Sequence, residues 1–122
     1  MRRFRLGASA QADIVALLAR TEDRFGESAR RRYEILLATG LRDIILDPDR
    51  PASMARPDLG PMVRSYHLLH SRDRARVLGG LVRQPRHLLL YRTMVPGIVG
   101  VGRVLHDAMD VERHLPVNYG DE

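Results

Sequence analysis

Arg86-His87-Leu88-Leu89-Leu90-Tyr91-Arg92, then Ile98-Val99-Gly100-Val101-Gly102-Arg103-Val104-Leu105-His106, are the two runs on which the fold turns. Both are rich in strand-compatible residues, and Pro96-Gly97 between them supplies a turn, since Pro fixes φ and Gly tolerates φ > 0. The pair therefore reads as an antiparallel hairpin. Neither run alternates cleanly. Strict alternation sets Leu88 and Leu90 against Leu89 and Tyr91, and Val99, Val101 and Leu105 against Ile98 and Val104. Strands that are apolar on both faces are usually covered on both faces, so this hairpin is expected at the centre of a small sheet. The glycines at 100 and 102 read as thinning where another part of the chain comes close.

Working outward, Arg3-Phe4-Arg5-Leu6 alternates as a short strand with one buried face. Gly7 or Ser9 caps a helix whose stripe is Ala10, Ile14, Leu17, Leu18, Thr21 and Phe25. Gly26 ends it. A second helix follows from about Glu27, with a stripe of Ala29, Tyr33, Leu36, Leu37, Gly40, Leu41 and Ile44, and the two form an antiparallel hairpin. Gly40 within that stripe implies that the other helix approaches closely there. Residues 47–61 carry four prolines, Pro48, Pro51, Pro57 and Pro61, and show no periodicity. Met62 to Leu69 reads as a further strand. Residues 71–85 are a polar, Arg-rich excursion in which Val77 to Val82 makes a small β-turn or a helical turn, and it is expected to be dispensable for folding. Asp107 to Leu115 makes one short helix, and 116–122 is a loose tail. The expectation is an α+β fold: a helical hairpin on a four-stranded, mostly antiparallel sheet. One domain spans 1–122, with its core in 3–115.

The chain has 122 residues, within the ~100–200 of one domain, and needs no covalent staple. Cysteine is absent, which excludes disulfides and thiolate zinc sites and agrees with a cytoplasmic location. The longest apolar run, Ile14 to Ala19, is far short of the ~20 residues that span a bilayer. Met1-Arg2-Arg3-Phe4-Arg5-Leu6 has charge but no apolar segment behind it, so it is not read as a secretory signal. All 20 basic side chains are Arg, and the net charge is +5. The guanidinium fork suits phosphate and carboxylate, although codon bias in a GC-rich genome is the favoured account of the absence of Lys. The charge favours an acidic partner, either nucleic acid or protein.

Few constellations could carry chemistry. His67 and His70 fall on opposite faces of a strand, which argues against a shared metal, and no cofactor motif is present. A polar set gathers toward the sheet end: Arg64, His67, His87, Arg92, Arg103 and His106. A metal-free ribonuclease needs such a set, with imidazoles as base and acid and Arg as the phosphate clamp. The structural alternative is that Arg64, Arg92 and Arg103 pair with carboxylates at the sheet rim.

Several motifs together resemble the RelE/ParE superfamily of toxins from bacterial toxin–antitoxin modules. They are Ala12-Asp13-Ile14, Phe25-Gly26, Arg56-Pro57-Asp58-Leu59-Gly60 and Val63-Arg64-Ser65-Tyr66, completed by Arg86 to Arg92 and Arg103-Val104-Leu105-His106-Asp107. The likeness covers about residues 3–115 and is closest to the ParE branch, the plasmid stabilisation proteins. It implies the RelE/ParE fold, no cofactor or metal, growth inhibition through DNA gyrase without catalysis, and neutralisation by a ParD-like antitoxin. It also implies no membrane association and no sequence-specific DNA binding by this chain. The alternatives are a RelE-like ribosome-dependent mRNA endonuclease, with Arg64, Arg92, Arg103 and His106 as its catalytic residues, or a non-toxic remnant that still binds antitoxin. The sequence departs from the pattern in two places. The 71–85 excursion is longer than the usual link, and Asp107-Ala108-Met109 stands where the family often has Arg. Because the hairpin is apolar on both faces, the antitoxin is expected on its second face, against Leu89, Tyr91, Val99, Val101 and Leu105; the alternative is that residues 47–61 and the tail after Leu115 cover part of it.

Overall fold

The computed structural model describes residues 3–77, 80–94 and 97–120. Pro96 of the expected hairpin turn, and Leu78-Gly79 of the expected excursion, lie outside the described residues. Strand β1 (Arg3–Leu6) leads into helices α1 (Ala8–Phe25) and α2 (Glu27–Leu46). Strands β2 (Met54–Ala55), β3 (Val63–His67), β4 (His87–Thr93) and β5 (Ile98–His106) follow. The architecture is α+β: two helices packed on one face of a five-stranded mixed sheet of order β1-β5-β4-β3-β2.

This corrects the four-stranded, mostly antiparallel expectation at both edges. β1 runs parallel to β5, with Arg3 opposite Ile98 and Leu6 opposite Val101. The whole helical hairpin lies between β1 and the rest of the sheet, long enough for the crossover that parallel strands require. At the other edge Met54 and Ala55 pair with Ser65 and Arg64. A two-residue strand has no periodicity to read, so the proline-rich stretch hid it.

The helix junction follows the sequence closely. Gly26 has φ 93° and ψ 175°, a region open essentially to Gly alone, and it ends one helix while starting the next. Ala10 and Leu17 from α1 and Tyr33, Leu36, Leu37 and Ile44 from α2 are buried against the sheet. Gly40 is explained differently from the expectation. A Cβ there would sit 2.4 Å from Leu68 Cδ2, so the close neighbour is the 3₁₀ turn Leu68–Ser71 rather than α1.

A β-bulge decides which side chains share a face. Leu90 pairs with Arg103 but Tyr91 pairs with Val101, so Gly102 is an extra residue on β5. The alternation therefore shifts by one at Gly102. Val104 joins Val99 and Val101 beneath the helices, together with Leu89 and Tyr91, while Leu105 pairs with Leu88 on the opposite face. The grouping of Leu105 with Val99 and Val101 is thus corrected by one inserted residue.

The second face is covered by the chain's own C-terminal segment. Tyr119 is buried there with Leu90 and Val63, and Leu59, Met94 and Val111 pack around them. A Cβ at Gly100 would lie 2.3 Å from the Tyr119 carbonyl oxygen, and one at Gly102 would lie 2.6 Å from Pro116 Cγ. The two glycines thin the strand so that this strap can lie flat on it. Residues 116–120 are therefore a packed strap, not a loose tail. The short helix expected over Asp107 to Leu115 reduces to a 3₁₀ turn at Val111–Arg113, with Asp110 capping it through the Glu112 N–H.

The first part of the excursion also belongs to the core. Ser71 and Ala75 are buried. Asp43 of α2 accepts hydrogen bonds from Ser71 Oγ (2.6 Å) and from Arg74 Nη2 (2.6 Å) and Nε (3.0 Å). Burial pushes the Asp43 carboxyl up, but the Arg74 and Ser71 hydrogen bonds outweigh it and hold the pKa below its usual value. No helix among the described residues is long and apolar enough to cross a membrane.

Candidate functional site: an arginine-lined groove at the sheet end

β4 and β5 bring His87 and His106 directly opposite each other at the end of the hairpin. Their rings meet edge to face, with centroids 5.4 Å apart. Tyr33, one helical turn before Leu36 and Leu37 in the buried stripe of α2, closes over this pair. Its hydroxyl lies 2.7 Å from His87 Nδ1, and its ring stands edge-on to the imidazole.

Protonation follows from the surroundings. Burial pushes His87 down to about 4, reinforced by nearby His106 and Arg20, so the ring is neutral at pH 7. Burial pushes Tyr33 up to about 12. The Tyr33 hydroxyl accepts from the Arg86 N–H (3.4 Å) and donates to His87 Nδ1, which leaves the imidazole proton on Nε2. Asp107 is held down to about 2, chiefly by Arg86, whose Nε and Nη2 both donate to it, and further by His67. His67 accepts the Leu69 N–H at Nδ1 and so donates from Nε2 to Asp107 (3.0 Å). His106 Nδ1 accepts the Ala108 N–H. Asp107 thus fixes His67 and Arg86, while His106 is the more open of the two facing imidazoles.

Above this cluster lies a groove of about 1150 Å³. One wall is the end of α1 and the start of α2, the other is Arg76 with Gly80 to Gln84 and Arg86, and His87 and His106 lie at its base. Arg20, Arg24 and Arg32 line the first wall, and Arg76, Arg83 and Arg86 the second. None of the described lining residues is acidic. The periodicity of α1 and α2 contains part of this signal, since Arg20, Arg24 and Arg32 flank the buried stripe. Only folding sets the second trio opposite them.

The residues expected from sequence separate into two groups. His67, His87 and His106 converge around Asp107. Arg64, Arg92 and Arg103 do not. Arg64 donates to Ser53 Oγ (2.9 Å) and lies 3.6 Å from Asp49. Arg92 stacks over the Tyr119 ring at 4.7 Å. Arg103 forks onto Asp13 at 2.7 and 2.8 Å, and the same carboxylate accepts the Val104 N–H (2.9 Å). Asp13 of α1 therefore satisfies the part of the β5 edge that β1 is too short to reach. Leu89, Tyr91, Val99, Val101 and Leu105, the residues expected to meet an antitoxin, are all buried in this chain. The first four lie under the helices, and Tyr91 anchors there by donating to the Pro48 carbonyl (2.6 Å). An incoming segment would have to displace α1 and α2 to touch them.

What the arrangement offers chemically is a neutral, sealed imidazole, a more open one beside it, and a cationic channel. No family model matches the sequence, and no curated protein is recognisably similar to it.

Proposed function

We propose that this chain is the toxin of a bacterial type II toxin–antitoxin module, with the RelE/ParE fold and closest to the ParE branch. In this reading it stops growth by binding DNA gyrase in the cytoplasm and is neutralised by a ParD-like antitoxin. One observation favours binding over cleavage. The three arginines that a ribonuclease would aim at the scissile phosphate are each anchored elsewhere: Arg103 on Asp13, Arg64 on Ser53 and Asp49, and Arg92 on Tyr119. Arg64 and Arg92 also stand on opposite sheet faces, because Arg64 is paired with Tyr91 of the helix-covered face and Arg92 with Val63 of the other. Such a set does not surround one phosphate.

The mRNA endonuclease is the second reading, and His106 at the base of an arginine-lined groove is what favours it. The two separate by experiment. Purified protein should block supercoiling by gyrase, while primer extension on ribosome-bound message shows no new ends. Codon-positioned cuts that vanish in His106→Ala would replace the first reading by the second.

A further inference from the structure

The groove combines two features, a cationic rim and an apolar floor. Its rim holds six arginines, and among the described residues Arg20, Arg24, Arg32, Arg76 and Arg83 make no ion pair with a carboxylate. Like charges gathered on facing walls repel one another unless an anion lies between them. Its inner surface is apolar, with Leu17, Phe25, Ala29, Leu81 and Val82. Phe25 is 73% exposed, although it belongs to the apolar stripe of α1.

We propose that this groove is a docking channel for an acidic segment of a partner protein, which lays an apolar face on Phe25, Leu81 and Val82 and carboxylates against the two arginine walls. Thr21 and Phe25, one turn apart on α1, continue the apolar stripe beyond the buried Leu17. The surface is better suited to apolar side chains than to bases. Tyr33 is buried against His87, leaving Phe25 and, at the base, His106 as the open rings among the described lining residues, whereas single strands are held by successive stacking platforms.

The second wall determines which partner is held. It is built by the excursion that sets this chain apart, and it is organised before any partner arrives. Pro85 is buried, Arg72 Nη1 donates to the Arg83 carbonyl (3.0 Å), Val77 bridges to Gly80, and Val82 packs on the core. A wall fixed in advance lowers the ordering cost of binding. Its exposed Arg76 and Arg83 supply cations that the helices alone do not. The proposal rests on the toxin reading only where the partner is taken to be an antitoxin.

The test uses the full chain and a designed helical peptide of about four turns, with Leu along one face and Glu elsewhere. A scrambled peptide of the same composition and an oligouridylate serve as competitors. The designed peptide should bind, more weakly as salt rises. The Arg76→Ala/Arg83→Ala variant should keep its unfolding midpoint and lose about tenfold in affinity. Equal binding by the scrambled peptide, tighter binding by oligouridylate, or no binding would each overturn the proposal. A negative gyrase assay leaves these outcomes unchanged, so failure of the toxin reading and failure of the docking channel are told apart.

Discussion

His87 shows how far a single residue's chemistry departs from its sequence context. Beside the basic residue Arg86 it reads as a candidate acid or base, yet it is buried beneath Tyr33 and held neutral. Its pKa falls from 6.5 to about 4 on folding. Because the folded value is depressed, the unfolded chain binds the proton more readily. The contribution of the neutral ring is therefore complete above about pH 6.5 and is lost as the pH falls toward about 4. The unfolding midpoint should drop across that window. In His87→Gln, whose amide can still accept from Tyr33, the drop should shrink. A pH profile as steep as that of the unsubstituted chain would show that His87 does not cause it. Asp107 responds lower: its contribution is present above its ordinary value of 3.8 and is lost as the pH falls toward about 2.

Among the elements, the 71–85 segment changes its meaning most between sequence and structure. Its polarity suggests an appendage, but its first turns are pinned to α2. Leu68, just before it, fills the notch at Gly40, while Ser71 and Arg74 of the segment hold Asp43 and Ala75 is buried. The second half forms the groove wall and contributes little besides Val82 to the core. Replacing residues 77–84 with a short Gly-containing turn should leave the midpoint nearly unchanged. Replacing 71–85 should cost about 1–3 kcal/mol, because Asp43 is left buried without its donors. Urea unfolding of the two variants measures the difference, and equal stability would show that the Asp43 network is dispensable. The β5 bulge works at this same scale. One residue, Gly102, moves Val104 under the helices and sends Leu105 to the other face.

For the whole molecule, the strand order places β4, β5 and β3 inside and leaves β1 and β2 at the edges. The central strands are sealed on one face by the helical hairpin and, along much of the other, by the strap ending at Tyr119. Native-state hydrogen exchange should therefore be slowest in β4 and the middle of β5, and fastest in β2, which has only two residues and one neighbour. Slow exchange in β2 matching that in β4 would mean that the edge is protected by something other than its own pairing.

The α+β class, the two helices with their Gly26 junction, and the hairpin at 86–106 are legible in the sequence alone. These are written in local periods and turn residues, which act over a few neighbours. It also marked Gly100 and Gly102 as places of close approach, because a missing side chain inside an apolar strand needs a neighbour. The parallel edge, the bulge, the strap and the second groove wall were settled only in the tertiary structure. Each joins segments far apart in the chain: Arg3 with Ile98, Tyr119 with Gly100, and Arg20 across the groove from Arg83. The expected site divided along the same line. His87 and His106 come together because strand register fixes them opposite each other. Arg64, Arg92 and Arg103 separate because Ser53, Tyr119 and Asp13, which hold them, are recruited from distant parts of the fold.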